Sequence, residues 1–169
     1  MALGPASAPM SIPSANPLEV VEEIVNANEW AFDRANEDEL IVEIGGKFCD
    51  YRLFFIWRDD VSALHFTCVF ETKAPAQRRR DVHDLLVMVN EKMWLGHFDL
   101  CHEDGVPMFR HTILLRGARG ASVEQLEDLV DVALSECERF YPALQYVCWG
   151  GKSAQDALAA SMFDTVGEA

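Results

Sequence analysis

Cys49-Asp50-Tyr51-Arg52-Leu53-Phe54-Phe55-Ile56-Trp57, then Arg58-Asp59-Asp60, then Leu64-His65-Phe66-Thr67-Cys68-Val69-Phe70 is the stretch whose reading decides the fold. Its apolar residues recur every second position, the period at which successive side chains leave a strand on opposite faces. Cys49, Tyr51, Leu53, Phe55 and Trp57 share one face of a first strand, and Leu64, Phe66, Cys68 and Phe70 share one face of a second. The charged Arg58-Asp59-Asp60 step between them reads as a turn, so the two strands pair antiparallel. The opposite face carries Phe54, Ile56 and Val69 beside Arg52, Arg58, Thr67 and Glu71. Three large apolar side chains are too many for a plain solvated face, so part of it is expected to be covered by a second subunit or a partner.

Upstream, Trp30 to Asp33 and Leu40 to Ile44 keep the same period, with Asn36-Glu37-Asp38 as a turn and Gly45-Gly46 as a stop. Before them Asn16-Pro17 supplies a cap and a first-turn proline for a short helix, about residues 17–28, whose apolar face is Leu18, Val21, Ile24 and Val25. Downstream of Pro75 the spacing turns helical, with Val82, Leu85, Leu86, Val89 and Met93 in one stripe and Gly96 as the stop. A hairpin follows, with Asp104-Gly105 as a two-residue loop that would set Asp99 opposite Arg110 and Leu100 opposite Phe109. Ser122 then caps a long stripe running through Leu126, Leu129, Val130, Ala133, Cys137, Phe140 and Tyr141, where Pro142 is expected to kink or break the helix. Ser153 starts a last short helix carrying Leu158 and Met162. The order α-β-β-β-β-α-β-β-α-α with short connections predicts an α+β domain of two layers, an antiparallel sheet with helices packed on one face. Residues 1–15 read as a flexible tail and residues 16–169 as a single domain.

The chain has 169 residues and a formal net charge of −14. Such a charge repels a phosphate backbone and an anionic membrane surface, so neither nucleic acid nor membrane is an expected partner. The excess is not uniform. Residues 17–46 carry nine acids and one base, residues 47–116 carry ten of each, and residues 117–169 carry nine acids and three bases. Five separated cysteines, Cys49, Cys68, Cys101, Cys137 and Cys148, lie in apolar contexts without a CxxC pair, which suits thiols in a reducing cytoplasm.

Candidate chemistry is sparse. His97, Asp99 and Cys101 alternate on one strand face, but steps of about 6.6 Å between their Cα atoms suit a tight metal site poorly, and pairing of Asp99 with Arg110 explains the pattern better. Gly150-Gly151-Lys152-Ser153 lacks the first glycine of a phosphate loop, because Tyr146 stands there; a helix stop followed by a serine cap accounts for it. Arg78-Arg79-Arg80 precedes Asp81 and Asp84 and reads as a solvated helix face with local ion pairs. Cys101 and His111 have no activating context for nucleophilic catalysis. Trp30, Trp57, Trp94 and Trp149 border element ends and read as core edge, with one or two available to a surface contact. No cofactor and no catalytic residue is expected.

The segments Asn16-Pro17-Leu18, Trp94-Leu95-Gly96-His97-Phe98-Asp99, Pro107-Met108-Phe109-Arg110, Phe140-Tyr141-Pro142-Ala143 and Trp149-Gly150-Gly151 resemble the alphaproteobacterial branch of the YbjN-like family. The resemblance implies a bacterial sensory-transduction regulator whose fold is similar to that of type III secretion chaperones, small acidic dimers that hold a partner polypeptide in extended form. With the residue-level reading it leads to an expected non-enzymatic cytoplasmic regulator or chaperone-like adaptor. It would form a homodimer and bind a protein partner, with Phe54, Ile56 and Val69 as the contact patch. The alternative expectation is a small-molecule-binding sensor domain with its ligand held between the sheet and its helices, which would require an apolar-lined cavity with converging polar groups.

Overall fold

The structure, a computed structural model, describes residues 14–166. Of the expected N-terminal tail, residues 1–13 lie outside the described residues; Ser14 is buried, and the Ala15 N–H donates to the Arg119 carbonyl at 3.0 Å.

Four helices and six strands follow in the order expected: α1 (Leu18–Ala27), β1 (Ala31–Asn36), β2 (Glu39–Gly45), β3 (Asp50–Arg58), β4 (Ala63–Phe70), α2 (Arg79–Asn90), β5 (His97–Leu100), β6 (Pro107–Leu114), α3 (Val123–Cys148) and α4 (Ala154–Val166). The strands form one antiparallel sheet in the order β1-β2-β3-β4-β6-β5. Tyr51, Leu53, Phe55 and Trp57 on β3 and Leu64, Phe66, Cys68 and Phe70 on β4 are buried, so the face chosen by period-two alternation is the one the helices cover. α1 packs on β2 and α3, while α2, α3 and α4 pack on one another.

Local chemistry explains the element boundaries. The Asn16 Oδ1 accepts from the Leu18 N–H at 3.0 Å, capping α1 over Pro17. Ser122 and Gln125 make a reciprocal capping box at the start of α3, with bonds of 3.1 and 2.9 Å. The Ser153 hydroxyl accepts from the Asp156 N–H at 3.2 Å and opens α4.

Three sequence expectations are corrected. The β5–β6 hairpin pairs Phe98 with Phe109 and Asp99 with Met108, two residues away from the expected register. The loop is the four residues His102 to Gly105, closed by the Cys101 N–H donating to the Val106 carbonyl at 2.9 Å. A shift of two keeps every side chain on its face, and Arg110 still reaches Asp99 diagonally at 3.2 Å. α2 ends at Asn90 rather than near Gly96, because the Asn90 side chain turns to the outer edge of β5. Its Oδ1 accepts from the Phe98 N–H at 2.7 Å, and its Nδ2 donates to the Phe98 carbonyl at 2.9 Å. That edge strand is thereby blocked against pairing with another chain.

The third correction concerns Pro142, which lies inside α3 without breaking it. A proline in a helix interior costs about 3 kcal/mol. Phe140, Tyr141, Ala143, Leu144 and Val147 are all buried around it, and fully burying a large apolar side chain contributes about 1.5–3 kcal/mol. Burial on both sides of the proline therefore outweighs the lost hydrogen bond. Pro142→Ala, which restores a donor to that turn, is expected to stabilise the domain by about 1 kcal/mol and raise Tm by about 2–4 °C. A lowered Tm on thermal denaturation would show that the proline ring is itself part of the packing. Asn90→Ala leaves the Phe98 backbone unpaired and is expected to lower stability by about 1–3 kcal/mol in urea unfolding.

Candidate functional site

Among the described residues no helix covers the second face of the sheet. Across it run cross-strand rows that the pairing register defines: Glu39, Ile56, His65 and Thr112; then Ile41, Phe54, Thr67 and Arg110; then Glu43, Arg52, Val69, Met108 and Asp99. Phe54 and Val69 are half-buried and Ile56 is 37% exposed. Phe54 and Val69 occupy adjacent rows and line one groove, whereas Ile56 lies one row further along β3, on the same face but outside the groove. Two apolar contributors escaped the sequence reading. Ile41 pairs with Phe54, and Met108 pairs with Val69. The alternation of Leu40-Ile41-Val42 already placed Ile41 on this face, but Met108 joins it only through the β4–β6 pairing.

The groove has a volume of about 720 Å³. Phe54, Val69 and Met108 lie along it, and its end wall is built from the segment after β4 and the β5–β6 turn, through Lys73, Cys101, Asp104 and Val106. These two pieces are tied together. The Ala74 N–H donates to the Gly105 carbonyl at 2.8 Å, and Arg79 Nη1 donates to the His102 carbonyl at 3.1 Å. Gly105 sits at φ +73°, and a Cβ there would approach the Arg79 Nε to 2.6 Å and the Ala74 carbonyl oxygen to 2.9 Å. Glycine is required at this corner both for its left-handed backbone and for the close approach.

The charges around the groove divide into paired and unpaired. Arg52 meets Glu43 at 3.4 Å, an exposed pair. The Cys101 thiol and the Val106 N–H hold the Asp104 carboxyl below its ordinary pKa, with Lys73 adding a smaller pull. Asp50 and Glu71 neighbour each other where β3 begins and β4 ends, the Glu71 N–H donating to the Asp50 carbonyl at 3.1 Å. Neither carboxylate is in an ion pair among the described residues.

The remaining sequence candidates are dispersed. Asp99 is engaged by Arg110, His97 is exposed and Cys101 faces the groove. His111 on β6 pairs with the buried Phe66, on the helix-covered side and away from Cys101; burial, with His97 a lesser cause, lowers its pKa. The basic run is more structural than a solvated face. Arg78 Nε and Nη2 donate to the carbonyls of Val147 and Lys152 at 2.8 Å each, tying down the end of α3, and Arg78 also pairs with Asp81. Trp57 is buried, Trp30 half-buried, and Trp94 and Trp149 are 77% and 55% exposed. Cys68 and Cys137 bring their sulfurs to 3.7 Å in the core, where burial raises the Cys137 pKa strongly.

A family profile described as "Putative bacterial sensory transduction regulator", YbjN, matches residues 17–146. The chain belongs to the YbjN family. A solved structure described as "Crystal structure of YbjN, a putative transcription regulator from E. coli" superposes with a TM-score of 0.50 at 11% identity, covering 72% of this chain and 85% of that one. At that identity the likeness concerns the fold. No curated protein matches the sequence. The family is described as a sensory transduction regulator. Among the described residues no helix is long and apolar enough to cross a membrane.

Gly105→Ala places a Cβ in the left-handed corner against Arg79 and Ala74. It is expected to cost about 1–3 kcal/mol and to loosen the end wall of the groove. Thermal denaturation measures the first effect, and faster amide exchange at Ala74 and Cys101 the second.

Proposed function

We propose that this YbjN-family chain is a non-enzymatic cytoplasmic regulator, a chaperone-like adaptor that forms a homodimer and binds a protein partner through the open face of its sheet. The observation that carries the reading is the patch of Ile41, Phe54, Ile56, Val69 and Met108, partly exposed apolar side chains on a sheet face that no helix among the described residues covers. The family description supports a regulatory role. Five free cysteines suit a reducing compartment.

Charge favours a basic or partly unfolded client. The acid-rich α1 and α3 pack together beside β2, so much of the negative charge gathers on one side of the domain, while the β5–β6 hairpin and α2 belong to the neutral part of the chain. The net charge of −14 draws a positively charged partner toward the domain as a whole, and the apolar residues of the open face give it a seat. A second reading, a small-molecule-binding sensor domain, is favoured by the groove, which lies on the open face rather than between the sheet and its helices and whose volume falls in the range of ligand sites, about 300–1,000 Å³.

Replacing Phe54 and Ile56 together by serine tests the first reading. Both side chains point away from the core, so the double variant is expected to keep its Tm within a few degrees, about the effect of 1 kcal/mol. Either its mass by light scattering is expected to fall toward the monomer or its recovery of partner from native cell extract is expected to drop. Unchanged mass together with unchanged recovery would sink the proposal.

A further inference from the structure

The groove has a chemical bias that the partner reading does not use. We propose that it is a binding site for a small organic cation with an apolar body, the body lying on Phe54, Val69 and Met108 and the charge held by Asp50 and Glu71.

Three observations lead to this occupant. First, the volume of about 720 Å³ suits a small organic ligand. Phe54, Val69 and Met108 offer half-buried apolar surface along it, so a ligand that covers them gains about 25 cal/mol for each Å² removed from water.

Second, the lining carries four carboxylates, Glu43, Asp50, Glu71 and Asp104, against two bases, Arg52 and Lys73. Glu43 has Arg52, and Asp104 has the Cys101 thiol, the Val106 N–H and Lys73. Asp50 and Glu71 are left, on neighbouring strand ends and with no ion pair among the described residues. Like charges side by side across two strands are destabilising in the free protein. A cation between them removes that repulsion, whereas a neutral ligand leaves it and an anion adds to it.

Third, the whole molecule favours the same sign, since a net charge of −14 concentrates cations at its surface and disfavours anions. The two local bases do not reverse this, because the carboxylates of Glu43, Asp50, Glu71 and Asp104 outnumber Arg52 and Lys73 in the same lining. Such a site would give a regulator a chemical input on the face where its partner is proposed to dock, ligand and partner excluding each other.

The test follows the ε-methyl resonance of Met108, assigned with Met108→Leu, during titration with four probes: hexyltrimethylammonium, tetramethylammonium, 1-hexanol and hexanoate. Hexyltrimethylammonium is expected to shift the resonance to saturation and to bind at least about tenfold more tightly than the other three, with the preference falling as salt is added. Asp50→Asn with Glu71→Gln is expected to remove most of that preference while leaving the weak binding of 1-hexanol in place. Because both residues are exposed, the double variant is expected to fold, and its retained response to 1-hexanol checks that the groove survives. Equal affinity for hexanol, hexanoate and the ammonium probe overturns the proposal, as does an undiminished ammonium preference in the double variant. A groove filled by a second copy of the chain would appear as a dimer whose Met108 signal ignores all four probes, and that outcome overturns it as well.

Discussion

The structure hangs on a seam of aromatic rings between sheet and helices. Phe55 meets Phe66 at 5.0 Å, Phe98 meets Phe109 at 5.7 Å, and Phe98 stacks on Phe140 at 4.3 Å. Phe70 joins Phe98, Phe140 and Tyr141 at 6.0–6.3 Å, and Tyr141 stacks on Phe48 at 5.4 Å. Each such pair adds about 0.5–1.5 kcal/mol beyond the area it buries. The seam joins β3, β4, β5, β6 and α3, elements far apart in the chain. It holds the short β5 against the sheet and carries α3 past its proline. Because all these rings enter from one side, the helices are committed to that side and the other is left open.

The open face follows from that commitment rather than from any local feature designed for binding. Alternation along β3 and β4 sends one set of residues into the seam and the other outward, so burying Phe55 and Phe66 obliges Phe54 and Val69 to face away. What turns a bare sheet face into a groove is the wall at its end. That wall depends on the backbone bond from Ala74 to Gly105 and on the Arg79 side chain donating to the His102 carbonyl, which bring the start of α2 against the β5–β6 turn. Arg79, within the basic run, is therefore a structural tie, and Gly105 is the corner that lets it close.

Much of this was legible in the residues. The period-two stretch from Cys49 to Phe70 identified two strands and both their faces, and the spacing after Pro75 and Ser122 identified the two main core helices. Element order and fold class followed, because both depend on local periodicity and short connections. The β5–β6 register did not follow from the Asp104-Gly105 pair, since a turn motif states a preference that contacts from Ala74 and Arg79 outweigh. The helical end at Asn90 was hidden for a similar reason: its cause is an amide that reaches a strand edge eight residues later. Within the site, Phe54 and Val69 were readable from alternation, whereas Met108, Asp104 and the end wall were not, because they arrive from a hairpin placed beside β4 by tertiary packing.

By itself the sequence determined the sides: which residues of each strand and helix turn inward, the order of the elements, the net charge and its concentration toward the two ends of the chain. These are properties of spacing and composition, and they survive any modest shift of one element against another. Only the tertiary structure decided the joins, namely that α3 runs unbroken through Pro142, that β5 pairs two residues away from its turn-based register, and that a groove forms with Asp50 and Glu71 left unmatched beside it. Joins depend on the summed energy of contacts between distant segments. A few kcal/mol of ring packing and edge hydrogen bonding is enough to override the local preference of a proline or a turn.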